Sequence, residues 1–144
     1  MNEHDTIHLL QECDSGSKMA VSAIEDVLEK THRSELHDLL MESKQHHEKL
    51  GNEIHATLQE HGLEDSSPNP LAKGMAWIKT NFKMNMDPSD ETIAKLITEG
   101  CDMGINSLQE YMNEYTEADD RSKDLCRRLM SIEDALREDL RDYL

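Results

Sequence analysis

The sequence predicts an all-α protein: a four-helix bundle with a short extra helix in the crossover between helices two and three. Three observations carry this. Apolar residues recur every three or four positions through four long stretches, the spacing of one helix face. No segment alternates apolar and polar residues as a half-buried strand does. The prolines, at 68, 70 and 88, fall in one region and leave long uninterrupted segments on either side.

The first helix is expected from about Asp5 to Glu29. Its apolar face carries Thr6, Leu10, Cys13, Ser17, Ala20, Ile24 and Val27 or Leu28, with Asp14 and Glu25 on the flank. The stretch "KTHRSE" (30–35) follows, in which Thr31 or Ser34 can cap the next helix. Helix two presents Leu36, Leu40, Ser43, His47, Leu50, Ile54, Leu58 and His61 on one face and stops at Gly62. "LEDSSPNP" (63–70) is turn-rich.

"LAKGMAWIKTNFKM" (71–84) returns to helical spacing with Leu71, Met75, Ile78 and Phe82. "DPSDE" (87–91) then reads as a helix start, with Asp87 as N-cap and Pro88 in the first turn. Helix three runs to about Tyr115 with Ile93, Ile97, Cys101, Gly104, Leu108 and Tyr111 inward. "TEADD" (116–120) breaks it, and helix four covers about Asp119 to Tyr143, with Leu125, Leu129, Ile132, Leu136 and Leu140 inward and Glu133 flanking.

Bundle helices are usually joined by roughly 2–8 residues, and the 63–88 connection is far longer. Its own helix, rising ~1.5 Å per residue, can carry the chain along the bundle. Helices two and three are therefore expected to run parallel, as in a crossover bundle. At 144 residues the chain is a single domain, 1–144, able to bury its own core.

Thirty-one acidic against 15 basic residues give a formal charge of −16. That argues against nucleic-acid backbones, whose binding needs Lys and Arg, and against anionic membrane surfaces. No run approaches the ~18 apolar residues of a spanning helix. The opening "MNEHDTIHLLQECD" has no basic region followed by an apolar one, so no secretory signal is read there and the expected location is cytoplasmic. Cys13, Cys101 and Cys126 are odd in number and sit in apolar periodicity, as buried reduced thiols do.

"MESKQHHEKL" (41–50) sets two histidines beside two glutamates within helix two. Carboxylate di-metal bundles place a Glu from each of two helices and a Glu-x-x-His pair from each of the others in the core, where residues three apart share a face. Here Glu42 and His46 are four apart, Glu42 points towards solvent, His46 sits on the edge, and only His47 points inward. All eight histidines lie at or before His61, so helices three and four supply none. The plainer reading of His47 is a core histidine hydrogen-bonded to Ser17 or Ser43. The alternative is a single-ion site of His47 with Glu133 and Asp14, holding iron or manganese. His4, His8, His37 and His55 read as surface residues.

"LLQECDSGSKMAVSAIED" (9–26), "KGMAWIK" (73–79) and, most of all, "EGCDMGINSLQEYMNEY" (99–115) resemble the ferritin-like superfamily. The closer likeness is to a bacterial branch classed as a domain of unknown function. The resemblance covers nearly the whole chain and implies a four-helix bundle with a helical crossover. It implies no iron chemistry, because "DLCRRLMSIEDALREDLRDYL" (124–144) lacks the Glu-x-x-His of the active oxidases.

The small residues Gly100 and Gly104 suggest close packing, against Trp77 or Phe82. Lys73, Lys79 and Lys83 make the crossover the one locally basic stretch, to which an acidic copy of the chain could dock as a homodimer. The leading expectation is a non-enzymatic cytoplasmic bundle acting through its surface, with a stress-related role by superfamily analogy. The competing one is a ferritin-like metal binder or oxidase with a degenerate site near His47.

Overall fold

A computed structural model describes residues 2–62 and 88–144. Four α-helices form there: α1 (Glu3–Leu28), α2 (Ser34–Glu60), α3 (Asp90–Glu114) and α4 (Asp120–Asp139), the last running into a 3-10 turn at Leu140–Tyr143. No strand occurs among the described residues. The expected crossover helix at 71–84, with its lysines, Trp77 and Phe82, lies outside them.

The helix ends show how the chain is directed. Asn2 caps α1 by accepting from His4 N–H at 2.9 Å, and Asp119 caps α4 by accepting from Ser122 N–H at 2.8 Å. Gly62 takes a left-handed φ of 84° after α2, a conformation that glycine adopts without steric cost. Two starts differ from expectation. The residue at the head of α2 is Arg33, and neither Thr31 nor Ser34 caps it: Thr31 Oγ1 donates instead to Leu28 O, and Ser34 is already helical. The chain entering it is held by another helix instead, because His32 N–H and Arg33 N–H donate to the two carboxylate oxygens of Asp90 at 2.8 and 3.0 Å. Helix α3 is capped by Ser89, which accepts from Thr92 N–H at 3.1 Å, two residues beyond the expected Asp87, and Pro88 precedes the helix.

These contacts fix the topology. Asp90, the first residue of α3, sits on the α1–α2 turn. The α3–α4 turn meets the start of α1 instead: Asn2 N–H donates to Glu117 O, Glu117 N–H to Asp5, and Asp119 N–H to Thr6 Oγ1. Arg121 at the head of α4 reaches Glu60 at the tail of α2. Hence α2 and α3 run parallel, with α2 ending and α3 beginning at opposite ends of the bundle.

The core has two apolar halves. Toward the α1–α2 turn, Ile24, Val27, Leu36, Leu40, Ile93, Ile97, Leu136 and Leu140 pack together. Toward the other end, Leu9, Leu10, Leu50, Ile54, Leu58, Leu108, Leu125 and Leu129 do so. Each such side chain contributes roughly 1.5–3 kcal/mol on full burial, so these halves supply the driving force for folding. Between them lies a polar waist, where buried Ser17, Ser43, His47 and Glu133 come from α1, α2 and α4. Gly104 of α3 completes it: a Cβ there would lie 3.8 Å from the Glu133 carboxyl carbon.

Candidate functional site: two carboxylate–histidine pairs at the bundle waist

The first pair is inside. His47 is fully buried, one turn along α2 from Ser43, which places its ring nitrogen Nδ1 2.8 Å from the Ser43 carbonyl oxygen. A carbonyl can only accept, so Nδ1 carries the hydrogen. The other nitrogen, Nε2, lies 3.1 Å from Glu133 Oε1 of α4. That contact needs one proton as well, given either by an imidazolium to a carboxylate or by a carboxylic acid to a neutral ring. Burial disfavours the charged ring, but the hydrogen bond and negative charge of Glu133, with the Ser43 carbonyl, outweigh it and leave the His47 pKa above its usual 6.5. Below that raised pKa the ring is protonated and both its nitrogens can donate.

Helix α3 gives Glu133 its remaining surroundings. Gly104 presents no side chain where the carboxylate lies. Cys101, one turn earlier and 2 % exposed, lies beside Glu133. Burial, with the carboxylate beside it, holds that thiol protonated far above the ordinary range. Cys13 and Cys126 are likewise buried and reduced.

The second pair lies in a cleft of about 440 Å³ between α1 and α2. Asp14 of α1 is 1 % exposed, and His55 Nδ1 of α2 lies 3.4 Å from its Oδ1. Lys18 Nζ, one turn on, is 2.9 Å from the other oxygen, Oδ2. These are charge contacts without hydrogen-bond alignment: neither Asp14 oxygen accepts a hydrogen bond, and His55 Nδ1 makes none. Ser17, Gly51 and Asn52 line the cleft, and His47 reaches its floor from the waist. The backbones are close there, since a Cβ on Gly51 would come within 3.0 Å of Ser17 Oγ.

The three metal candidates are thus divided. His47 and Glu133 meet, while Asp14 faces the adjoining cleft with His55 and Lys18. Both His47 nitrogens are engaged, and an ion at Nε2 would have to displace the proton shared with Glu133. Among the described residues no three His, Cys, Asp or Glu side chains gather around a point that could hold a metal. Ser43 does partner His47, through its backbone oxygen more than its hydroxyl, which is 3.4 Å away. His55, expected at the surface, is half-buried against Asp14. A hint was present in the sequence: His55 is eight residues from the inward His47, which sets it beside the buried face.

Elsewhere, His8 stacks on Tyr115, and Tyr115 on Tyr111. Burial, reinforced by Glu12, pushes the Tyr111 hydroxyl up to about 12, so it remains neutral. Among the described residues no helix is long and apolar enough to cross a membrane. Compared with known proteins, the chain matches no family, no curated protein and no solved structure.

Proposed function

We propose that this chain is a non-enzymatic, cytoplasmic helical-bundle protein of ferritin-like type that acts through its surface, as a homodimer. One observation carries the reading: the titratable groups at the bundle centre are engaged with one another. His47 commits Nδ1 to Ser43 O and Nε2 to Glu133. A waist arranged this way sets the register of the helices, because a buried ion pair is strongly penalised when its partners slip apart. The parallel α2 and α3 support the ferritin-like assignment. A stress-related role rests on superfamily analogy alone.

The second reading, a degenerate iron or manganese site at the waist, has one observation in its favour: the His47–Glu133 contact joins two residue types that ligate such ions. One preparation of tag-free protein separates the two. Under the surface reading, light scattering gives a dimer mass, and the dimer persists when His47 and Glu133 are replaced together by Leu and Met. Stoichiometric iron or manganese that disappears in His47→Ala would establish the second reading. A monomer at high concentration would remove the homodimer.

A further inference from the structure

Beyond a surface role, the α1–α2 cleft holds an arrangement that the waist pair does not explain. Asp14 is a carboxylate with 1 % exposure whose two oxygens accept no hydrogen bond. Burying such a group is costly unless something supplies positive charge or donors. The nearest ring nitrogen, His55 Nδ1, is also buried without a hydrogen bond, 3.4 Å from Asp14 Oδ1. Lys18 supplies positive charge at Oδ2 alone. With the ring hydrogen of His55 on Nε2, Oδ1 and Nδ1 are two lone-pair atoms facing one cleft from two helices, an arrangement that can take a cation.

We propose that Asp14 and His55 bind a divalent transition-metal ion of the zinc class in this cleft, with water completing its shell. The spacing fits. Ligand atoms each ~2.0–2.1 Å from a tetrahedral ion stand ~3.3–3.4 Å apart. Asp14 Oδ1 and His55 Nδ1 lie 3.4 Å apart.

The donor set selects the ion. Imidazole nitrogen with a carboxylate oxygen suits zinc and its neighbours, whereas magnesium and calcium prefer oxygen alone. No third His, Cys, Asp or Glu joins the pair among the described residues, so solvent in the 440 Å³ cleft takes the remaining positions. An ion held by two protein ligands exchanges freely, as suits transient binding rather than a structural site. Glu25 and Glu48 at the cleft wall add negative potential that draws cations in. Lys18 opposes this, but it sits on Oδ2, and its side chain is 41 % exposed and long enough to swing outward. Neither Glu133 nor the His47–Glu133 proton takes part.

The test uses tag-free, chelator-treated full-length protein and calorimetric titration with Zn²⁺ alone. About one Zn²⁺ per chain is expected at the cleft, unaffected by excess Mg²⁺, with a matching rise in melting temperature. Asp14→Asn and His55→Gln should each weaken it at least tenfold and abolish the thermal shift. His46→Gln and the paired His4→Gln/His8→Gln should leave it intact, because those side chains lie elsewhere. His55 is partly exposed, so His55→Gln keeps the test decisive even if Asp14→Asn fails to fold. Zinc binding that survives His55→Gln, or is lost only in the His4/His8 variant, would overturn the proposal, as would no binding by the wild type. The light-scattering mass tests the surface reading separately, so either proposal can fail alone.

Discussion

Two acid–histidine pairs occupy the same level of this bundle and differ in almost every physical respect. His47–Glu133 joins α2 to α4 inside the core, at 3.1 Å, and each ring nitrogen has a partner. Asp14–His55 joins α1 to α2 at the cleft, at 3.4 Å, and none of the three atoms involved makes a hydrogen bond. The first is closed: its charges cancel and its geometry is complete. The second is open: burial is comparable for the acid, and Lys18 pairs its charge at Oδ2, but neither oxygen accepts an aligned hydrogen bond. Residue type therefore does not determine whether such a pair is a structural clasp or a receptor. The deciding variable is whether the surrounding backbone and side chains complete its hydrogen bonds.

The largest effect should come from breaking the closed pair. His47→Leu leaves the Glu133 carboxylate buried beside an apolar group, and removing one partner of a buried pair costs about 3–5 kcal/mol. Replacing both, His47→Leu with Glu133→Met, should recover most of that loss, since a well-packed apolar pair of similar volume is often no less stable. Urea denaturation of the two variants measures the difference. Equal loss in both would mean that volume at the waist, not charge pairing, holds the helices.

A pH series sharpens the same point. Folding raises the His47 pKa above 6.5, because Glu133 and the Ser43 carbonyl outweigh the cost of burial. The folded chain thus holds a proton that the unfolded chain gives up earlier. This contribution is complete below about pH 6.5 and is lost as pH rises through the higher folded pKa. The groups facing the ring are Glu133 of α4, Ser43 of α2 and, across the cleft, Asp14 and Lys18 of α1, with Cys101 of α3 behind the carboxylate. Unfolding free energy should fall on the alkaline side of pH 6.5 in the wild type, and less steeply in His47→Gln. The same slope in both would assign the dependence to other groups.

The open pair should respond in the opposite sense. Asp14→Asn removes a buried charge that accepts no hydrogen bond and should leave stability unchanged or raise it, by on the order of 1 kcal/mol. Chemical denaturation in the absence of metal checks this. A loss of several kcal/mol would show that the Lys18 contact at 2.9 Å already satisfies the carboxylate and that the cleft is no more open than the waist.

How far these pairs could be read from sequence depends on how far each lies from its own helix axis. The four helices and the Gly62 stop follow from local chemistry, and local chemistry is what a sequence displays. His47 lies on the apolar stripe of α2, so its inward direction was visible too. Asp14 and Glu133 are flank positions, and a flank is buried or exposed according to how neighbouring helices rotate and how closely they approach. Long-range contacts were equally hidden: Asp90 holds the backbone of residues 32 and 33, and nothing near residue 33 announces it. Gly100 and Gly104 looked alike as packing residues, yet a Cβ on Gly100 meets nothing within 4 Å while one on Gly104 meets Glu133.

The glycine behind each pair gives the smallest and most discriminating comparison. Mid-helix alanine is favoured over glycine by roughly 0.8–1 kcal/mol, so both substitutions start from the same gain. At Gly104 the new methyl would lie 3.8 Å from the Glu133 carboxyl carbon, an ordinary contact, and the gain should be kept. At Gly51 it would lie 3.0 Å from Ser17 Oγ, and that hydroxyl is anchored by donating to Asp14 O at 3.0 Å. Relief requires the hydroxyl to break that bond or the two helices to part, and overpacking of this kind costs about 1–3 kcal/mol. Gly51→Ala should therefore be less stable than Gly104→Ala by about 1 kcal/mol or more in parallel denaturation curves. It should also weaken Zn²⁺ at the cleft, because parting α1 from α2 lengthens the distance between Asp14 and His55. If the two alanines prove equally stabilising, the approach of α1 to α2 is soft, and a yielding cleft would not hold its two ligand atoms at the spacing an ion needs.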